Sequence, residues 1–121
     1  MRAALLLTLM SALTAPLLAQ APQSPDATPP GSVENGKKLF VDRACYMCHG
    51  LVAHSGGEQG PRIAGRVPAW PVFAKYIRQP TNQMIPYTDK VLSNQELADI
   101  YAWLKALPPP PPVNSIPQLR R

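Results

Sequence analysis

Three stretches of the chain repeat apolar residues at helical spacing, and none alternates in the way a half-buried strand would. Residues 33–43, followed by Ala44, bring Val33, Gly36, Phe40 and Ala44 to one face, with Ser32 placed to cap the first turn. Gly36 in mid-helix costs about 1 kcal/mol relative to alanine, which points to another backbone lying close against it. Residues 68–79 align Trp70, Phe73, Ala74 and Ile77 in a stripe, turn Lys75 and Arg78 outward, and end before Pro80. Ser93, Asn94, Gln95 and Glu96 form a capping box. It opens a helix in which Leu97, Ile100, Tyr101, Leu104 and Leu107 recur until Pro108 stops it. The pattern predicts an all-α domain over residues 32–107.

Outside that interval the pattern changes. Met1 and Arg2 give a positive start, residues 3–18 are apolar, and the small residues Ala19 and Ala21 follow, which are the three parts of a secretory signal peptide. Cleavage is expected after Ala19, giving a signal over 1–19, because a cut after Ala21 would leave Pro22 next to it. Thr8, Ser11, Thr14 and Pro16 interrupt the stretch, and it falls short of the roughly 20 apolar residues a spanning helix needs. No stable membrane anchor is therefore expected, and the location read from the chain is periplasmic. Residues 20–31 form a proline-rich leader without apolar period, expected to be disordered. Residues 108–121 form a second proline-rich tail with two readings, a disordered end or an extended arm that docks to a partner.

Composition narrows the class. The chain has 121 residues, 16 of them proline, with 2 cysteines and a formal charge of +5. A domain this short buries little of its surface and needs a disulfide, a metal or a cofactor to hold it. Two cysteines exclude a disulfide-rich framework. With 45% hydrophobic and 16% charged residues, the chain as a whole is not a disordered one. The basic balance lacks a dense Lys/Arg run with interleaved aromatics, so nucleic acid is not an expected partner.

The chemistry is concentrated in Cys45-Tyr46-Met47-Cys48-His49, a C-x-x-C-H motif that reads as covalent attachment of a c-type haem. Positions i, i+3 and i+4 share one side of a helical turn, so both thiols can form thioethers with one porphyrin while the His49 imidazole reaches its iron. A thioredoxin-like dithiol needs a βαβ setting that is missing from the pattern. A disulfide over so short a loop would stabilise poorly. A zinc site built from Cys45, Cys48, His49 and His54 meets the obstacle that Cys48 and His49 are adjacent, with no loop to bring the ligands into a tetrahedron.

The sixth iron position is reached by elimination. After signal removal the remaining thioethers are Met47 and Met84, and the remaining imidazole is His54. Met47 lies between the attachment cysteines and faces away, and His54 is five residues past His49 on the same side. Met84 follows His49 by 35 residues, enough to reach the opposite face, and Pro86 stiffens the loop that carries it. The competing reading is a methionine filling a gap in the core.

Gly36 and Phe40, Cys45, Cys48 and His49, Gly60 and Pro61 with Gly65, Met84 with Pro86 and Tyr87, and Tyr101 in the last helix together resemble the class I monohaem cytochrome c family, in its small bacterial periplasmic form. The resemblance covers residues 33–107 and leaves both proline-rich ends outside. It implies three to four helices around one covalent haem c, with His49 as the proximal and Met84 as the distal iron ligand. It also implies that Gly36 and Phe40 meet Tyr101 where the terminal helices cross, and that the Pro61 carbonyl accepts a hydrogen bond from His49. Arg66, Trp70 and Tyr76 are further candidates for haem-propionate contacts, with ordinary packing or exposure as the alternative for each.

A haem closed on both faces by His and Met has no open site for substrate or gas, so the expected activity is one-electron transfer, without a catalytic residue of its own. The partners are redox proteins acting as donor and acceptor. Two roles are open: a diffusing periplasmic carrier, or the electron-transfer subunit of a dehydrogenase or other oxidoreductase complex, docked through the tail. Lys37, Lys38, Lys75, Arg78 and Lys90 form either a steering rim for an acidic partner or merely solvated helix faces.

Overall fold

The computed structural model describes residues 27–54 and 59–119; the expected signal peptide at 1–19 and the leader up to residue 26 lie outside the described residues. Among those residues there are four α-helices and no strand: α1 (Val33–Asp42), α2 (Tyr46–His49), α3 (Trp70–Arg78) and α4 (Asn94–Ala106). The all-α expectation holds.

Each long helix starts where its local chemistry permits. The Ser32 hydroxyl accepts from the Asn35 amide at 3.2 Å and caps α1. Pro71 sits in the first turn of α3, where its missing N–H leaves no helical bond unmade. Both arms of the capping box form at α4: Ser93 Oγ accepts from the Glu96 amide, and the Glu96 carboxylate accepts from the Ser93 amide.

α1 and α4 pack directly against one another at Gly36. A β-carbon there would stand 1.9 Å from the Asp99 carbonyl oxygen and 2.9 Å from the Trp103 β-carbon, so only hydrogen fits. The ring of Phe40 lies 4.7 Å, centroid to centroid, from that of Trp103. The buried Asp99 carboxylate ties the crossing together by accepting from the Ser32 amide (2.8 Å), Asn35 Nδ2 (2.7 Å) and Gln95 Nε2 (3.0 Å). At the other end of α1, Arg43 and Glu96 form a half-buried ion pair at 2.6 Å.

The expected meeting of Gly36 and Phe40 with Tyr101 is corrected here. Asp99 and Trp103, four residues apart, share the α4 face that meets α1, while Tyr101 lies two residues from each and points nearly the opposite way. Tyr101 faces α3 instead, packing on Trp70 and Phe73 with ring centroids 5.4 and 5.1 Å away and donating to the Pro68 carbonyl at 2.9 Å. α4 is consequently buried on several sides, by Leu97, Ala98, Asp99, Ile100, Tyr101, Trp103 and Leu104.

The proline-rich ends join the domain where they meet it. Gln95 Nε2 donates to the Pro30 carbonyl at 2.9 Å, so the end of the leader lies along α4. His54 Nε2 donates to the Pro108 carbonyl at 3.2 Å, and beyond this the tail makes two short 3-10 turns, Val113–Ser115 and Pro117–Leu119.

Candidate haem site

The motif is built on a sharp reversal. Ala44 adopts the left-handed conformation (φ 60°), which a residue with a β-carbon rarely takes, and turns the chain from α1 into the single turn of α2. The amides of His49 and Gly50 close that turn onto the carbonyls of Cys45 and Tyr46, and Gly50 (φ 76°) then leads the chain away. Cys45, Cys48 and His49 are thereby held on one turn, with Met47 between them 66% exposed.

The segment carrying Pro61 lies directly on this turn. A β-carbon on Gly60 would come within 2.7 Å of the Cys48 carbonyl oxygen, and this close approach carries the Pro61 carbonyl to 2.7 Å from His49 Nδ1. A carbonyl can only accept, so Nδ1 bears the proton and the Nε2 lone pair is left to bind a metal. His49 as a whole is only 9% exposed.

Cys45, Cys48, His49 and Met84 all line one cavity of about 970 Å³, walled by Phe40, Phe73, Leu97, Ile100 and Leu104. Its volume falls at the upper end of the range of about 300–1,000 Å³ usual for cofactor and ligand sites. Two thiols, one imidazole with a free Nε2, one half-buried thioether and a mostly apolar wall match the donor set and the size of a covalently held haem. Burial pushes the Cys45 thiol above its ordinary range. Tyr87 closes the wall behind Cys45 and donates to the Arg43 carbonyl at 2.7 Å; burial, with Cys45 beside it, pushes its phenol up to about 12, so it stays a donor at neutral pH.

Of the weaker candidates, Arg66 and Tyr76 line the cavity, whereas Trp70 is buried in the aromatic cluster of α3 and α4 and does not. His54 is turned to Pro108, and among the described residues no three His, Cys, Asp or Glu side chains converge as a zinc cage would. The rim is smaller than expected. Lys38, though exposed, pairs with Asp42 one turn along α1, and Arg78 is turned back onto the loop behind α3, which leaves Lys37, Lys75 and Lys90 as the exposed members outside these contacts. The roles of Asp99 and Trp103 were not read from the sequence, although the mid-helix glycine signalled that something must press on α1.

The fold and this cavity define a class I cytochrome c domain, in which haem c is bound covalently and carries electrons. The chain belongs to the family described as cytochrome c oxidase, cbb3-type, subunit III, whose model matches residues 31–104. No curated protein and no solved structure matches the chain.

Proposed function

We propose that Cys45 and Cys48 would hold a haem through thioethers, that His49 Nε2 and the Met84 sulfur would hold its iron, and that the exported chain passes single electrons between redox proteins in the periplasm. The observation that carries this reading is the convergence of all four side chains on one cavity, with His49 oriented by Pro61. When bound, the haem supplies a one-electron ferrous/ferric couple, whose potential a methionine ligand raises. The chain's own residues do the rest. Pro61 fixes the tautomer and plane of His49, the apolar side chains of α3 and α4 give the cavity a water-excluding wall, and Met84 would hold the position that an exogenous ligand needs. The ferric holoprotein is expected to show a sulfur-to-iron charge-transfer band that Met84→Ala abolishes; a band that survives the substitution, or is missing from the wild type, refutes the ligand assignment.

Two settings fit this activity. A freely diffusing carrier needs nothing beyond the domain, and no helix among the described residues is long and apolar enough to cross a membrane. The family description, which is that of an oxidase subunit, favours the second: a domain docked to a larger oxidoreductase. Purification under mild conditions, with and without residues 108–121, separates them. Co-elution with a partner only when the tail is present supports the docked subunit, and a monomer in both cases supports the carrier.

A further inference from the structure

Met84 lies on a segment with few ties of its own. Between the cap bonds at its two ends, of Gln79 to Lys75 and of Leu97 to Ser93, the α3–α4 segment has backbone bonds of Tyr87 to the Ile77 carbonyl (3.1 Å) and of Val91 and Leu92 to the Thr88 carbonyl (3.1 and 2.9 Å). Pro80 and Pro86, on either side of Met84, have no N–H to give. The missing ties come from one side chain. Arg78, the last residue of α3, is half-buried and donates through Nη1 to the carbonyls of Tyr87 (2.8 Å) and Leu92 (2.7 Å) and through Nη2 to Asn94 Oδ1 (2.8 Å). It thus joins the start of the segment to its far stem and to the first turn of α4. Charge-assisted hydrogen bonds of this kind are roughly twice as strong as neutral ones. The planar fork is required, because a lysine at this place would present a single point charge to three acceptors that lie in different directions.

We propose that Arg78 is a positioning residue for the sixth ligand: by clamping the stem at Tyr87 and Leu92 to the end of α3, it holds the Met84 segment against the cavity and sets how readily the sulfur gives way to a competing ligand. The inference rests on Met84 as an axial ligand, so its test includes a variant that judges that reading separately.

The experiment measures imidazole binding to the ferric holoprotein, together with the charge-transfer band and far-UV circular dichroism, in the wild type, Arg78→Lys, Arg78→Gln and Met84→Ala. Both Arg78 variants are expected to keep the helical spectrum and to bind imidazole roughly tenfold more tightly or better, with a weakened band, as follows from losing charge-assisted bonds at a stem. Asp99→Asn, which weakens the hydrogen bonds to Ser32 and Asn35 at a residue that does not line the cavity, serves as the control for general destabilisation and is expected to leave imidazole affinity unchanged. Unchanged affinity in both Arg78 variants, while Met84→Ala binds more tightly, overturns the positioning role and leaves the ligand assignment standing. A Met84→Ala affinity equal to that of the wild type overturns both. If the Arg78 variants yield no holoprotein, Asn94→Ala, which removes the Nη2 partner alone, is expected to raise affinity about two- to threefold, and no rise overturns the proposal.

Discussion

Replacing Gly36 by alanine sets two known effects against each other. In an exposed helix the change gains about 1 kcal/mol, because alanine loses less backbone freedom on folding. Here the added methyl group would stand 1.9 Å from the Asp99 carbonyl oxygen, 2.5 Å from its carbon and 2.9 Å from the Trp103 β-carbon. None of these atoms can swing aside, since two belong to the α4 backbone and the third is fixed to it. Relief requires α1 and α4 to move apart by about an ångström, which loosens the contact of Phe40 with Trp103 and the hydrogen bonds to Asp99. Overpacking typically costs about 1–3 kcal/mol, and this contact belongs at the upper end or above it, so the net loss after the helix gain is about 2 kcal/mol. For a domain of 60–100 residues each kcal/mol is about 4–8 °C, so the melting temperature of the holoprotein should fall by about 8–16 °C. Thermal unfolding followed by far-UV circular dichroism measures this. A melting temperature equal to or above that of the wild type would mean that helix propensity outweighs the crossing, and the account of the α1–α4 contact would fail.

Three further outcomes follow from particular contacts. Ser93→Ala removes one arm of the capping box and should cost about 1 kcal/mol, read as a lower urea midpoint with unchanged slope. The Glu96 carboxyl is held below its ordinary range by the Ser93 amide and then Arg43, and Asp99, which burial pushes up, is held below on balance by Asn35, Ser32 and Gln95. Both values are depressed on folding, so their stabilisation is present above the ordinary carboxylate range of about 4 and is lost as pH falls through the folded values. The urea midpoint should therefore drop below about pH 4, less steeply in Asp99→Asn, and a midpoint that rises toward acid would contradict the assignment. The double substitution Cys45→Ser, Cys48→Ser should leave no haem on the chain in a denaturing gel and no cooperative thermal transition, because the cavity wall then has nothing bound to pack against.

The helices were legible because their signals are local. The cap at Ser32, the box at Ser93 and the stop at Pro108 each act within one turn of the residues that announce them, and the motif at Cys45 states its chemistry by spacing alone. The partners across the fold were less legible. Tyr101 and Trp103 are both large aromatics in one helix, and when nearly every side of that helix is buried, periodicity no longer says which ring meets which neighbour. Arg78 illustrates the same limit: at helical spacing it reads as an outward cation, yet the loop that follows α3 folds back over it and supplies two acceptors, with a third from Asn94 at the start of α4. The Pro61 carbonyl could be reached only through a family resemblance, since backbone atoms leave no mark on composition or period.

The cavity also explains how so short a chain can fold around a redox site. A cavity of about 970 Å³ is more than so short a chain can close with its own side chains, and water cannot replace the apolar contacts that Leu97, Ile100, Leu104 and Phe73 turn inward. What the protein packs by itself is the α1–α4 crossing and the aromatic cluster of Trp70, Phe73 and Tyr101, both of which border the cavity through α4. The cofactor that moves the electron therefore also completes the core. A substitution on the cavity wall should then disturb stability and redox behaviour together.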